Sequence, residues 1–189
     1  MMLSVRLPVL LLCGFSLSAC VAWTTVEAKP TKLSGGLRLV PENKWSAMKY
    51  GAAQTWTVHG PAIEAITVVS GLQDGKSLAK PANYKDKMPL FRSGMAASEV
   101  AELTVESLLR IGYGKVELLG VRPEPFAGKP GFRFDLALAS SSGLAKSGFG
   151  AGAVVDGKLY LIVYRAPTLH YFEKYEPVVE KLIASAQIQ

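Results

Sequence analysis

The run Ser70-Gly71-Leu72-Gln73-Asp74-Gly75-Lys76-Ser77 differs by one residue from GxxxxGK[ST], the loop whose backbone amides and lysine cradle phosphate groups. It follows a strand-like segment, as a phosphate loop should, but Ser70 stands where the first glycine belongs. Residues 78–83 include Pro81 and carry no helical stripe, so the helix N-terminus that must aim amides at phosphate is missing. The expected structure is a turn on Asp74-Gly75. Gly148, Gly150 and Gly152 hint at a dinucleotide fingerprint, yet they recur at every second residue and lead into Ala153-Val154-Val155, a strand and not a helix. Their expected use is structural: bare positions on one face, where a neighbouring helix or side chain can approach the sheet. His59 and His170 are the only imidazoles, and neither is expected to act within an HxxxH, HxxE or HExxH arrangement that would place two ligands together. Ser147 lies within Lys146-Ser147-Gly148 on an expected strand, and no GxSxG elbow exists. Neither a catalytic, a cofactor-binding nor a metal-binding residue is assigned. A hydrolase with an unrecognised Ser/His/Asp triad is the enzymatic alternative.

The two cysteines carry a different chemistry. Arg6 closes a short basic segment, residues 7–15 are mostly apolar, and residues 16–19 are small, the order of an export leader. Leu17-Ser18-Ala19-Cys20 resembles the lipobox of bacterial lipoproteins. The resemblance implies cleavage before Cys20 and a diacylglycerol thioether on its sulfur. Cys13 follows the bulky Leu12 and leaves with the leader, so the mature chain keeps neither a free thiol nor a disulfide. Each buried CH₂ of an acyl chain contributes about 0.8 kcal/mol, so the several chains of a mature lipoprotein hold firmly to a bilayer. That lipid is the one covalent group expected, with no other cofactor. A non-acidic residue after the cysteine, here Val21, implies the outer membrane in a Gram-negative cell, the protein then facing the periplasm.

The chain has 189 residues, 49% of them hydrophobic and 19% charged, enough apolar material for one real core and too long for a tail or a disordered segment. No run beyond the leader is apolar for long enough to cross a membrane as a helix. Of 21 basic residues Arg6 departs with the leader, leaving 20 against 15 acidic ones, a net charge of +5. That excess is too dilute for nucleic acid, which is not an expected partner. Its densest part is Lys76, Lys80, Lys85, Lys87 and Arg92, interrupted by Asp86, Pro81 and Pro89. Together with Tyr84 and Phe91 these residues form the candidate interaction loop, since long aperiodic loops are where contacts with partners often sit.

The elements that must carry this loop follow from periodicity. Residues 1–19 are assigned to the leader, 20–36 to a lipidated N-terminus and flexible tether of about 50 Å at full extension, and 37–189 to one globular domain. Trp23 could rest at headgroup level. Strands are expected at 37–40, near Trp45, at 54–59 and at 62–70, the last with apolar residues on both faces and therefore central. Ser98 is placed as the cap of a helix whose stripe is Ala101, Thr104, Val105, Leu108 and Ile111, with Leu103 off the stripe. Strands at 115–122, 131–140, 144–155 and 158–165 then form a meander, the last two joined by a type I′ turn on Asp156-Gly157. A closing amphipathic helix spans 168–186, with Pro177 forcing a kink or a late start. The fold class is α+β, an antiparallel sheet with helices packed on it.

This element order, with PGFRFDLAL, then GAVVDGKLYLIVYRAP, then the C-terminal helix, resembles the Mog1/PsbP-like α/β/α sandwich over roughly 37–186. Members of that family are mostly non-catalytic: photosystem assembly and extrinsic subunits, a regulator of a small GTPase, and envelope lipoproteins. The resemblance implies fold and style of action and supplies no site residue. The functional expectation is a lipid-anchored envelope protein, binding the membrane through its lipid and acting as an accessory or assembly factor for an envelope protein partner. The alternative is a carrier or sensor of an apolar or anionic small ligand, held between sheet and helix or against the basic loop.

Overall fold

The computed structural model describes residues 23–189, so the expected leader and the expected lipidation of Cys20 lie outside the described residues. In chain order the elements are β1 (Thr24–Val26), β2 (Thr31–Lys32), β3 (Leu37–Leu39), β4 (Trp45–Tyr50), β5 (Ala53–Thr57), β6 (Ala65–Leu72), α1 (Ala97–Arg110), β7 (Tyr113–Pro123), β8 (Phe132–Ser140), β9 (Ala145–Val155), β10 (Lys158–Pro167), α2 (Glu173–Ala184) and β11 (Gln187–Ile188). One sheet has the order β1-β4-β5-β6-β10-β9-β8-β7 with antiparallel neighbours throughout, and a small sheet has the order β11-β3-β2.

β10 sits in the middle because both its faces are apolar. Leu159, Leu161 and Val163 enter the core under α1, whereas Tyr160, Ile162 and Tyr164 enter the core under α2. Two-sided burial of one strand demands a layer above and a layer below, and the helices supply them. α1 contributes Val100, Ala101, Leu103 and Leu108 to one core, and α2 contributes Tyr175, Val179, Leu182 and Ile183 to the other. The expected α+β sandwich is the observed one. β9 and β10 are joined through Asp156 (φ 50°) and Gly157 (φ 70°), the pair of positive φ values that a type I′ turn requires.

Several local expectations are corrected. Residues 24–36 are not a flexible tether: Thr24–Val26 pairs with β4, and Val26 and Leu33 are buried. The Tyr160 hydroxyl donates to Gly35 O (3.0 Å), and Ser70 Oγ accepts from Leu37 N–H (3.1 Å), which seams this stretch to the main sheet. β1 and β2, of three and two residues with no apolar alternation, are too short to show a period, and so they escape a pattern reading. Helix α1 starts one residue before Ser98: Ala96 is the extended cap residue, and Glu99 Oε2 accepts from its backbone N–H at 2.7 Å. Leu103 is buried and Val105 only partly so, because the sheet covers a face rotated toward Val100 and Ser107. The closing helix breaks early. Leu169 is extended and His170 is left-handed, so regular helix begins at Glu173, shortly before Pro177.

Candidate functional site

The basic loop hangs from the C-terminal end of β6. Lys76 N–H donates to Gln73 O (3.2 Å) with Gly75 at φ 72°, the turn on Asp74-Gly75 that the sequence led us to expect. Ser70 belongs to the seam with Leu37, so the residue occupying the first position of the near-phosphate motif is already engaged. The loop closes on itself: Gly75 N–H donates to Phe91 O (2.8 Å) and Phe91 N–H to Lys76 O (2.9 Å). Asp74 accepts from Ser93 N–H (2.9 Å) and from the Arg92 guanidinium (3.4 Å), and these two donors, the backbone amide first, hold its carboxyl below the usual aspartate range. Farther along, Ala82 N–H donates to Arg110 O (2.9 Å), which ties the loop to an orphan carbonyl at the end of α1.

The candidate residues therefore divide. Phe91 is a correction: it is fully buried in the core under α1 and offers no surface to a partner. An aperiodic loop gave no sign of this, since burial of a single aromatic anchor leaves no pattern. Lys76, Lys80, Tyr84, Lys85, Lys87 and Arg92 are exposed, Tyr84 at 86%. Among the described residues Arg92 is the one cation of the five with a carboxylate partner. Beside the loop lies an open cleft of about 360 Å³ lined by Tyr50, Gly51, Ala52, Gly71, Leu72, Gln73, Lys76 and Ser77. Lys80 Nζ stands 5.4 Å from the Tyr50 ring centroid, so two ammonium groups border a partly aromatic cleft. By contrast, the space between α1 and the sheet is about 20 Å³, room for about one water. A ligand between sheet and that helix would have to displace core.

A second cluster of polar groups escaped the sequence reading. Glu64 is fully buried and accepts from Thr57 Oγ1 (2.9 Å), from the backbone N–H of Val58 and from that of His59 (3.0 Å). Lys146 Nζ, also buried, donates to Ala62 O (2.6 Å) and Ile63 O (3.1 Å). Burial, then the nearby Arg165 charge, pulls the Lys146 pKa down. Arg165 donates to the Tyr113 hydroxyl (2.9 Å) and to Thr67 Oγ1 (2.7 Å). The Tyr164 hydroxyl donates to Tyr171 O (2.9 Å), and His59 Nε2 lies 2.8 Å from the Tyr175 hydroxyl. These groups are spent on one another and on backbone, and their work is to close the connection between β5 and β6. Arg165 could have been found from the strand alone, since it continues the inward series Leu159, Leu161, Val163. Glu64 and Lys146 reveal themselves only once β6 and β9 are brought to the same end.

No arrangement among the described residues offers a metal site: none has three or more His, Cys, Asp or Glu grouped together. His170 and Glu173 stand at HxxE spacing, but the left-handed backbone at His170 interrupts the helix that would put them on one face. Gly148, Gly150 and Gly152 serve packing, with the ring of Phe134 lying against Gly150 and Leu138 against Gly148.

Sheet order, the two helices on opposite faces and the long loop before α1 together define an α+β sandwich. The chain is similar in structure to cyanobacterial PsbP (CyanoP) from Synechocystis sp. PCC 6803, solved in solution, with a TM-score of 0.58 and 10% sequence identity over 94% of this chain and 99% of that one. At that identity the likeness is one of fold. No family model matches the sequence, and no curated protein matches it.

Proposed function

We propose that this protein is a lipid-anchored component of the bacterial envelope that acts by binding, as a non-catalytic accessory or assembly factor. Lipid on Cys20 attaches it to the membrane, in a Gram-negative cell the periplasmic face of the outer membrane, and the loop that precedes α1 engages an envelope protein. The observation that carries this reading is the exposed face of Lys76, Lys80, Tyr84, Lys85 and Lys87, presented on a loop pinned at three points by Phe91, Asp74 and Ala82. A pinned loop loses little conformational entropy on binding, and an aromatic among unpaired cations fits an acidic protein surface. PsbP-like domains resembling this one act mostly without catalysis, in keeping with a polar cluster whose groups already bond to one another.

The test is photo-crosslinking in the living cell from Tyr84 replaced by a photoreactive phenylalanine. A single envelope protein captured from Tyr84, and lost when Lys76, Lys80, Lys85 and Lys87 are all replaced by Glu, is the expected result. Capture that ignores the charge reversal, or no capture, overturns the loop as the interface. The alternative, a carrier of a small anionic ligand, is favoured by the cleft of about 360 Å³ beside Lys76. Native mass spectrometry of the protein purified from its own membranes reads a stoichiometric adduct in that case.

A further inference from the structure

The pairing of β1 shortens the leash between lipid and domain. Had residues 21–36 been free, the globule could wander tens of ångströms from the bilayer, but strand pairing already starts at Thr24 against Ala47. Only Val21 and Ala22 separate Cys20 from Trp23, a reach of about 10 Å between the α-carbons of 20 and 23 at full extension. The part of the domain next to Trp23 is therefore held within that distance of an acylated Cys20.

That part presents two large apolar side chains to solvent. Trp23 is 44% exposed and Val58 41%, and with Gly60 and Pro61 they border a shallow cleft of about 310 Å³. The other two tryptophans, Trp45 and Trp56, are buried. The register puts a second apolar group at this end of the sheet. Val58 follows β5 and Pro61 precedes β6, while Arg165 of β10 pairs with Ala65 at the start of β6. Just past the end of β10, the left-handed backbone of His170 (φ 71°) adjoins Leu169, which is 85% exposed. Left-handed φ is uncommon for any residue but glycine. Trp23 borders the edge strand β1 and Leu169 the turn after β10, and exposed Trp and Leu are side chains that settle at the headgroup and acyl boundary of a bilayer.

We infer that the domain rests on the lipid surface by this end, with Trp23, Val58, Pro61 and Leu169 in contact with the bilayer. The inference deepens the proposed function and rests on acylation of Cys20. The orientation turns the opposite end of β6, from which the basic loop departs, away from the membrane and toward a partner.

The experiment uses the mature acylated protein in phosphatidylethanolamine and phosphatidylglycerol vesicles, with and without brominated acyl chains. Trp23 is the exposed one of three tryptophans, so bromine quenching of intrinsic emission reports on it. Quenching in wild type that disappears in Trp23→Phe is the expected result. Because the mature chain has no other thiol than Cys20, Val58→Cys, Leu169→Cys and Gln73→Cys each accept one polarity-sensitive dye. The first two emit at shorter wavelength on vesicles. Gln73, at the far end of β6 and about 25 Å away along the strand, does not. A protein that floats with vesicles yet shows neither quenching nor dye shift overturns the docking and leaves the anchor standing. A protein that fails to float and whose mass shows a free Cys20 thiol overturns both.

Discussion

The ring of Phe134 lies on the bare α-carbon of Gly150, its direct partner across β8 and β9, so closely that a β-carbon at position 150 would stand 2.2 Å from the ring Cζ. The aromatic fills the space that glycine vacates, and this cross-strand pair is part of the core beneath α1. Gly150→Ala is expected to destabilise the fold by about 1–3 kcal/mol through overpacking. Gly120→Ala, where nothing lies within 4 Å of the new methyl, is the control, and its urea midpoint should stay near wild type.

Glu64 organises the β5–β6 connection by accepting from one hydroxyl and two backbone amides. In Glu64→Gln the one remaining oxygen accepts from the same three donors without the carboxylate charge, and the amide NH₂ takes the place of Oε2, which now lies 3.3 Å from the His59 N–H. The expected loss is about 2–3 kcal/mol, read from urea unfolding, with native secondary structure retained by circular dichroism.

Tyr164 is kept neutral: burial, then the charge of Glu64, raises its pKa above the ordinary value of 10.0. Burial raises Tyr160 and Tyr175 in the same direction. A folded-state pKa above the unfolded one gives stability that is fully present below pH 10 and is lost as pH climbs through the folded-state value. Unfolding midpoints should therefore fall steeply above about pH 10, and Tyr164→Phe should flatten that fall. An unchanged alkaline slope in the variant would show that the Tyr164 proton is not what the fold retains.

The loop before α1 joins a core anchor to a solvated face. Phe91→Ala removes a fully buried ring and is expected to cost about 3–5 kcal/mol, whereas Lys76→Ala, Lys85→Ala and Lys87→Ala should each change stability by less than about 0.5 kcal/mol. Thermal denaturation of the four variants checks this. A lost interaction in a lysine variant would then report on contact with the proposed partner, and one in Phe91→Ala on collapse of the loop.

What was legible and what was not divide along physical lines. The alternation Leu159 to Tyr164 announced a two-faced strand, Asp156-Gly157 announced its hairpin, and the 100° stripe announced α1, because each pattern is local and repeats. From these the sandwich followed. Ser98 does not cap α1, because Glu99, one residue on, reaches back to Ala96 and moves the helix start. Leu103 is buried off the stripe because the sheet covers a wider arc of the helix than a single stripe describes.

The order of the long strands and the two helices and the two apolar faces of the central strands were determined by the chain's own residues, since periodicity and steric limits act between near neighbours. Tertiary structure alone decided that Thr24–Val26 is an edge strand, that Phe91 is an anchor while Tyr84 stays in water, and that Glu64, Lys146 and Arg165 meet at one end of the sheet. Such contacts depend on which distant segments the packing brings together, and burial of a lone side chain or a three-residue pairing leaves no repeat in the sequence to announce it.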